Sequence, residues 1–137
     1  MALVIDLKPH EKILIGDAVI TNDSQRTRLH IAGDSPILRE KDVLQEEDAD
    51  TPCKKVYFLV QCMYLARSVK DYQEKYFEIV KEIQKASPSS TLFFIQINEQ
   101  LMGDNYYKAL KLARQLIEHE KELIEHVTKQ QQNSSAS

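Results

Sequence analysis

The sequence predicts an α+β fold: a small N-terminal antiparallel β lobe followed by a bundle of about four α-helices. Three observations predict it. Apolar residues recur at every second position through the first forty-odd residues, and at every third or fourth position from about residue 52. The acidic run Gln45–Asp50 separates the two periodicities and has none of its own. At 137 residues, the chain is long enough to bury a core without metal or disulfide staples. The expected organisation is therefore a β lobe over 1–45, an acidic linker over 46–51, a helical lobe over 52–129 and a disordered polar tail over 130–137.

In the β lobe, Leu3, Ile5 and Leu7 alternate with Val4, Asp6 and Lys8 until Pro9-His10 interrupts them. Ile13-Leu14-Ile15 and Ala18-Val19-Ile20 follow, separated by Gly16-Asp17, a spacing that suits a tight hairpin. Thr21–Ser24 is a run of turn formers. In the next strand Thr27, Leu29 and Ile31 share one face, and Arg26, Arg28 and His30 the other. Gly33–Pro36 ends it, and Ile37-Leu38-Arg39 adds a last short strand.

Thr51-Pro52 reads as a helix start, with a capping hydroxyl and a proline suited to the first turn. Val56, Leu59 or Val60, Met63, Tyr64 and Arg67 trace one stripe from about residue 52 to 67. Ser68 is the expected cap of a second helix carrying Tyr72, Tyr76, Ile79, Val80 and Ile83. Ser87–Ser90 stops it and caps a third helix over about 90–102, which Gly103 closes. Asp104 is the expected cap of the last and longest helix. Its broad apolar face runs from Ala109 to Ile117, and only Leu123, Ile124 and Val127 remain beyond Glu118.

Composition narrows the function classes. Hydrophobic residues make up 42% and charged residues 28%, ordinary for a globular chain. No apolar run approaches the roughly 20 residues that span a bilayer. The N-terminus lacks a basic region followed by a long apolar stretch, so a cytoplasmic location without membrane contact is expected. Charge is split unevenly. Residues 1–51 hold six Lys/Arg against eleven Asp/Glu, while the rest hold twelve against ten. Nucleic-acid binding must then rest on a local cluster.

Catalytic and metal motifs are missing. Cys53 and Cys62 lie nine residues apart, about 13.5 Å along one helix, beyond disulfide reach. His119 and His126 are seven apart rather than four and cannot share a zinc ion. Three glycines build no phosphate loop, and the Glu46/Glu47 pair lies in a linker without an apolar pocket. A non-enzyme without metal or cofactor is expected.

Arg26 and Arg28 are the strand feature with functional promise, because alternate positions put both guanidinium groups on one surface where they can pair with phosphate. Arg39 and Lys41 can extend that patch, with Lys8 and Lys12 flanking it. The reading requires these cations to share one surface, free of internal carboxylate pairs. In the helical lobe, Tyr106-Tyr107-Lys108 opens the last helix with adjacent tyrosines about 100° apart, so one packs and the other lies at a rim or contact surface.

These segments together resemble the FlbT family of bacterial flagellin-expression regulators. The resemblance covers about residues 2–125. It is carried by Leu7-Lys8-Pro9, Leu38–Asp42, Val56-Tyr57-Phe58 running into Met63-Tyr64-Leu65, and Tyr106–Leu110 continuing through Arg114, Leu116-Ile117-Glu118 and Glu120. It implies a post-transcriptional regulator that associates with the 5′ untranslated region of flagellin mRNA and promotes its decay, acting alongside the small flagellar regulator FlaF. The β lobe is also distantly similar to the carbon storage regulator CsrA, whose arginines on the first and last strands bind RNA. Of these only Arg39 matches, since Leu7 and Lys8 replace the basic pair of the first strand.

Two readings follow. In the first, Arg39, Arg26, Arg28, Lys41 and Lys8 hold mRNA while the helical lobe docks a protein through Tyr106, Tyr107 and Lys108. In the second, the protein is a flagellar adaptor or chaperone whose helices bind FlaF or flagellin. A homo-oligomer joined through a strand edge or the last helix is compatible with either.

Overall fold

Residues 2–135 are described by the structure, a computed structural model, with side chains described over 3–130. The chain divides into two compact units, Met1–Val43 and Leu44–Ser137. The architecture is α+β, with five antiparallel strands preceding four helices.

The first unit holds two small sheets. Strand β1 (Ala2–Leu7) pairs with β4 (Thr27–Ala32), while β2 (Lys12–Ile15) lies between β3 (Ala18–Thr21) and β5 (Ile37–Arg39). Gly16 adopts a φ of 61°, which the two-residue turn between β2 and β3 requires at its first position. The β1–β4 register sets Ile5 against Leu29, Asp6 against Arg28 and Leu7 against Thr27. Alternation then sends Ile5 and Leu7 inward to meet Ile13, with Ile15, Leu29, Ile31 and Ile37 packed around them. Val19 and Ile20 on the edge strand β3 stay exposed.

The second unit comprises α1 (Pro52–Ala66), α2 (Gln73–Ala86), α3 (Thr91–Met102) and α4 (Tyr106–Ser135). α4 packs against α1 and α3, and α1 against α2. Val56, Val60, Met63, Tyr76, Phe94, Ile97, Ala109, Ala113 and Leu116 form the core. Ala109 and Ala113 lie one helical turn apart, so α4 presents small side chains where its neighbours approach. Cys53 and Cys62 are free thiols. Among the described residues, no helix is long and apolar enough to cross a membrane.

Thr51 caps α1 as expected, its hydroxyl accepting from the Lys54 amide at 3.2 Å. Ser68 does not cap α2. Its amide instead donates back to the Met63 carbonyl while Arg67 turns left-handed, so the residue ends α1, and α2 begins at Gln73. Asp104 does not cap α4 either. It takes the left-handed conformation after α3, Gly103 keeps a φ of −88°, and the Asn105 carbonyl accepts the first α4 bond from Ala109.

Two boundary expectations also change. The acidic stretch is not a free linker: Leu44 is bonded through both backbone groups to the Gln61 amide, Glu46–Asp48 form a 3-10 turn, and Ala49 is buried. The acidic side chains stay in water while the backbone folds onto the helical unit. The tail expected to be disordered from Gln130 is helical through Ser135, because glutamine is a fair helix former and no proline or glycine stops it. Ala136 and Ser137 lie outside the described residues.

Candidate nucleic-acid interface

The outer face of the β1–β4 sheet is built by the pleat. With Ile5, Leu7, Leu29 and Ile31 turned inward, Val4, Asp6, Arg28 and His30 point out and are exposed. Lys8 and Arg26 are the next residues beyond the Leu7–Thr27 pair, and both are exposed. Arg28 therefore faces Asp6 across the sheet, while Lys8 and Arg26 are exposed just beyond the last rung, with the Glu11 carboxylate within reach of the Lys8 charge.

Arg28 Nε donates to Asp6 Oδ1 at 3.1 Å, with side chains 66% and 59% exposed. An ion pair that wet contributes about 0.2–1 kcal/mol, so an incoming phosphate can displace it. Arg39 is held differently. It reaches Asp6 from β5, donating through Nη2 to the Asp6 carbonyl at 2.7 Å and lying 3.4 Å from Glu11 Oε1. Its Nε is buried and finds no acceptor among the described residues. The Glu11 carboxylate also accepts the Lys8 amide at 3.0 Å. That backbone hydrogen bond, followed by the nearby Arg39 charge, holds the Glu11 carboxyl below the usual carboxylate range.

The five basic residues expected to act together are thus divided, and the condition that they share one surface free of carboxylate pairs is not met: Arg28 pairs with Asp6 and Arg39 with Glu11, so only a smaller contact around the exposed, displaceable Arg28 pair is left. Arg28 lies on the outer sheet face, and Lys8 and Arg26 are exposed just past its last rung. Arg39 ties β5 to β1 from within the unit, and Lys41 is exposed in the 3-10 turn Glu40–Asp42. Asp6 and Glu11, the two carboxylates that engage the arginines, were not among the expected site residues. The position of Asp6 opposite Arg28 becomes readable only once the strand register is known.

In the helical unit, Tyr106 is half-buried and donates to Asp104 Oδ1 at 3.2 Å. Burial and the Asp104 charge raise its phenol above the ordinary range. Tyr107 is exposed, with its ring 5.9 Å from that of Tyr64 and Lys111 Nζ 5.0 Å from its centroid. Lys108 is exposed. His119 accepts or donates to Ser89 Oγ at 3.0 Å, and His126 pairs with Gln130. Among the described residues, no three His, Cys, Asp or Glu side chains gather as a metal site.

Comparison with known proteins places this arrangement. The family described as flagellar protein FlbT matches residues 3–124. The chain belongs to the FlbT family. It is 47% identical over 124 residues to the probable flagellum biosynthesis repressor protein FlbT 1 of Bradyrhizobium diazoefficiens, covering 90% of this chain and 85% of that one. A FlbT relative from Rhodopseudomonas palustris is 45% identical, with 90% and 98% covered. The flagellum biosynthesis repressor protein FlbT of Caulobacter vibrioides is 35% identical over 131 residues, with 93% of each chain covered. No solved structure matches the chain. For FlbT, both the outer sheet face and the opening of α4 fall inside the matched residues.

Proposed function

We propose that this FlbT chain represses flagellar biosynthesis post-transcriptionally, by associating with the 5′ untranslated region of flagellin mRNA and promoting its decay. It acts by binding, in the cytoplasm, without catalysis or cofactor. The repressor names of its FlbT relatives support the regulatory role. The observation that supports the RNA contact is the exposed Arg28 on the outer β1–β4 face, held only by a wet pair to Asp6, with Lys8 and Arg26 exposed just beyond the last rung of an otherwise acidic unit. Arginine and lysine at this spacing follow a single-strand backbone, and phosphate oxygens replace the exposed Asp6 carboxylate on Arg28. Arg39 then serves as the tether that fixes β1 rather than as a phosphate contact.

The test is fluorescence anisotropy on a flagellin leader RNA with wild type, Arg28→Ala and Arg26→Ala. Each substitution is expected to weaken binding severalfold. Equal affinity in all three proteins would refute the contact.

A second reading is favoured by an exposed apolar stripe on α3. Leu92, Ile95 and Met102 recur at three and seven positions and are 64%, 50% and 87% exposed. With Tyr107 and Lys108 exposed at the start of α4, this surface suits an adaptor that docks FlaF or flagellin and acts on mRNA indirectly. A pull-down with purified FlaF, with and without RNase, separates the two. Capture that survives RNase, combined with no RNA binding by the isolated chain, selects the adaptor reading.

A further inference from the structure

The last helix outruns the bundle it belongs to. α4 has 30 residues, about 45 Å, yet its last fully buried side chain is Leu116. Every residue from Lys121 to Gln130 is exposed, including Leu123, Ile124 and Val127, which stack on one side at spacings of three and four. A helix of this length in water gains little from propensity alone and is stabilised mainly by burying an apolar face. Leu123 and Ile124 also line a cavity of about 270 Å3, with Pro52, Ile83, Ala86 and Leu116 among its other walls. Among the described residues that line it, Glu82 and Glu120 are the carboxylates and there is no lysine or arginine.

Charge along this half-helix is polarised. Residues 118–125 carry Glu118, Glu120, Glu122 and Glu125 against Lys121, whereas residues 126–135 carry His126 and Lys129 and no carboxylate. A surface that is acidic at one end, basic at the other and apolar in the middle is complementary to itself when turned end for end. We propose that the projecting half of α4 pairs antiparallel with the same segment of a second copy of this chain. A pivot near Ile124 brings His126 level with Glu122 of the second copy, and Lys129 within one turn of its Glu118 and Glu122. Each copy then packs Leu123, Ile124 and Val127 against the same residues of the other. A parallel pair would instead stack acid on acid. This association stands independently of RNA contact, because its residues all lie in the helical unit.

Sedimentation equilibrium on the full chain tests it. The wild type is expected to approach twice the 15.9 kDa chain mass as concentration rises. Ile124→Glu combined with Val127→Glu should sediment at the single-chain mass and keep a cooperative melt, since both positions are exposed and outside the core, with the far-UV helical signal falling by no more than the projecting turns. Lys129→Glu should weaken the dimer roughly tenfold, about 1.4 kcal/mol. A wild type that stays at single-chain mass at the highest attainable concentration overturns the proposal. So does a dimer that survives the double substitution, or one whose dissociation constant ignores Lys129→Glu.

Discussion

Replacing Glu120 with alanine probes a relay that joins the middle of α4 to the first turn of α1. The Lys54 amide donates to Thr51 Oγ1, the Thr51 hydroxyl donates to Glu120 Oε1 at 2.5 Å, and the Cys53 amide donates to Glu120 Oε2 at 3.2 Å. A carboxylate from one helix thereby satisfies the free N–H groups of another, where the helix dipole also favours an anion. Hydrogen bonds to a charged acceptor contribute about 1.5–3 kcal/mol each, and an anion at a helix N-terminus about 0.3–1 kcal/mol. Half-burial and the longer second bond bring each hydrogen bond below that range, to about 1 kcal/mol, so Glu120→Ala should cost about 2 kcal/mol. For a chain of this size that lowers the melting temperature by roughly 8 °C, read by circular dichroism at 222 nm. Thr51→Val shares the relay, so the double variant should lose less than the two singles together, with a coupling of about 1 kcal/mol. A Glu120→Ala melt that coincides with wild type, or strictly additive losses, would refute the relay.

Three further outcomes follow from the same contacts. Gln61 is buried and bonds both the amide and the carbonyl of Leu44, at 2.8 and 3.0 Å; Gln61→Leu leaves two backbone groups unpaired and should cost about 1–3 kcal/mol in urea titration. Burial, reinforced by the Glu120 carboxylate, pushes the Cys53 thiol well up, and burial with Glu46 nearby also raises Cys62. Cys53 should resist alkylation at pH 8 until the chain is unfolded, and half-buried Cys62 should react more slowly than a free thiol; rapid labelling of Cys53 in the folded protein would count against its burial. The depressed Glu11 carboxyl stabilises the folded β unit above the ordinary carboxylate range, and that contribution fades as pH falls through its folded value. Glu11→Gln should therefore flatten the acid dependence of amide exchange in β1 and β5, and an unchanged acid profile would contradict it.

Much of this fold was legible in the sequence because local rules and tertiary packing agree. The hairpin at Gly16-Asp17, the Thr51-Pro52 start of α1 and the inward turn of Ile5 and Leu7 each follow from a two-residue turn, a cap or a period of two, although Leu3, which shares that period, stays exposed. The failures fall where two rules compete for one residue. Ser68 suits a cap by type, but the Met63 carbonyl four residues before Arg67 needs a donor, and that need decides its amide. Asp104 likewise serves the end of α3 before the start of α4. The basic cluster was half legible. Strand alternation groups Arg26 with Arg28, but nothing local says that Arg39, from another sheet, will donate to the Asp6 carbonyl. That contact has a sequence separation of 33 and depends on a topology no short motif encodes.

The most direct test of RNA contact on the outer sheet face is the affinity of Asp6→Asn for a flagellin leader RNA, measured by anisotropy across a salt series. Neutralising Asp6 removes the carboxylate that competes with phosphate for Arg28, so binding should tighten. The plot of log K against log salt should stay steep, at about 0.7 per phosphate contact. Binding that weakens, or that is indifferent to both the substitution and the salt, would contradict the account.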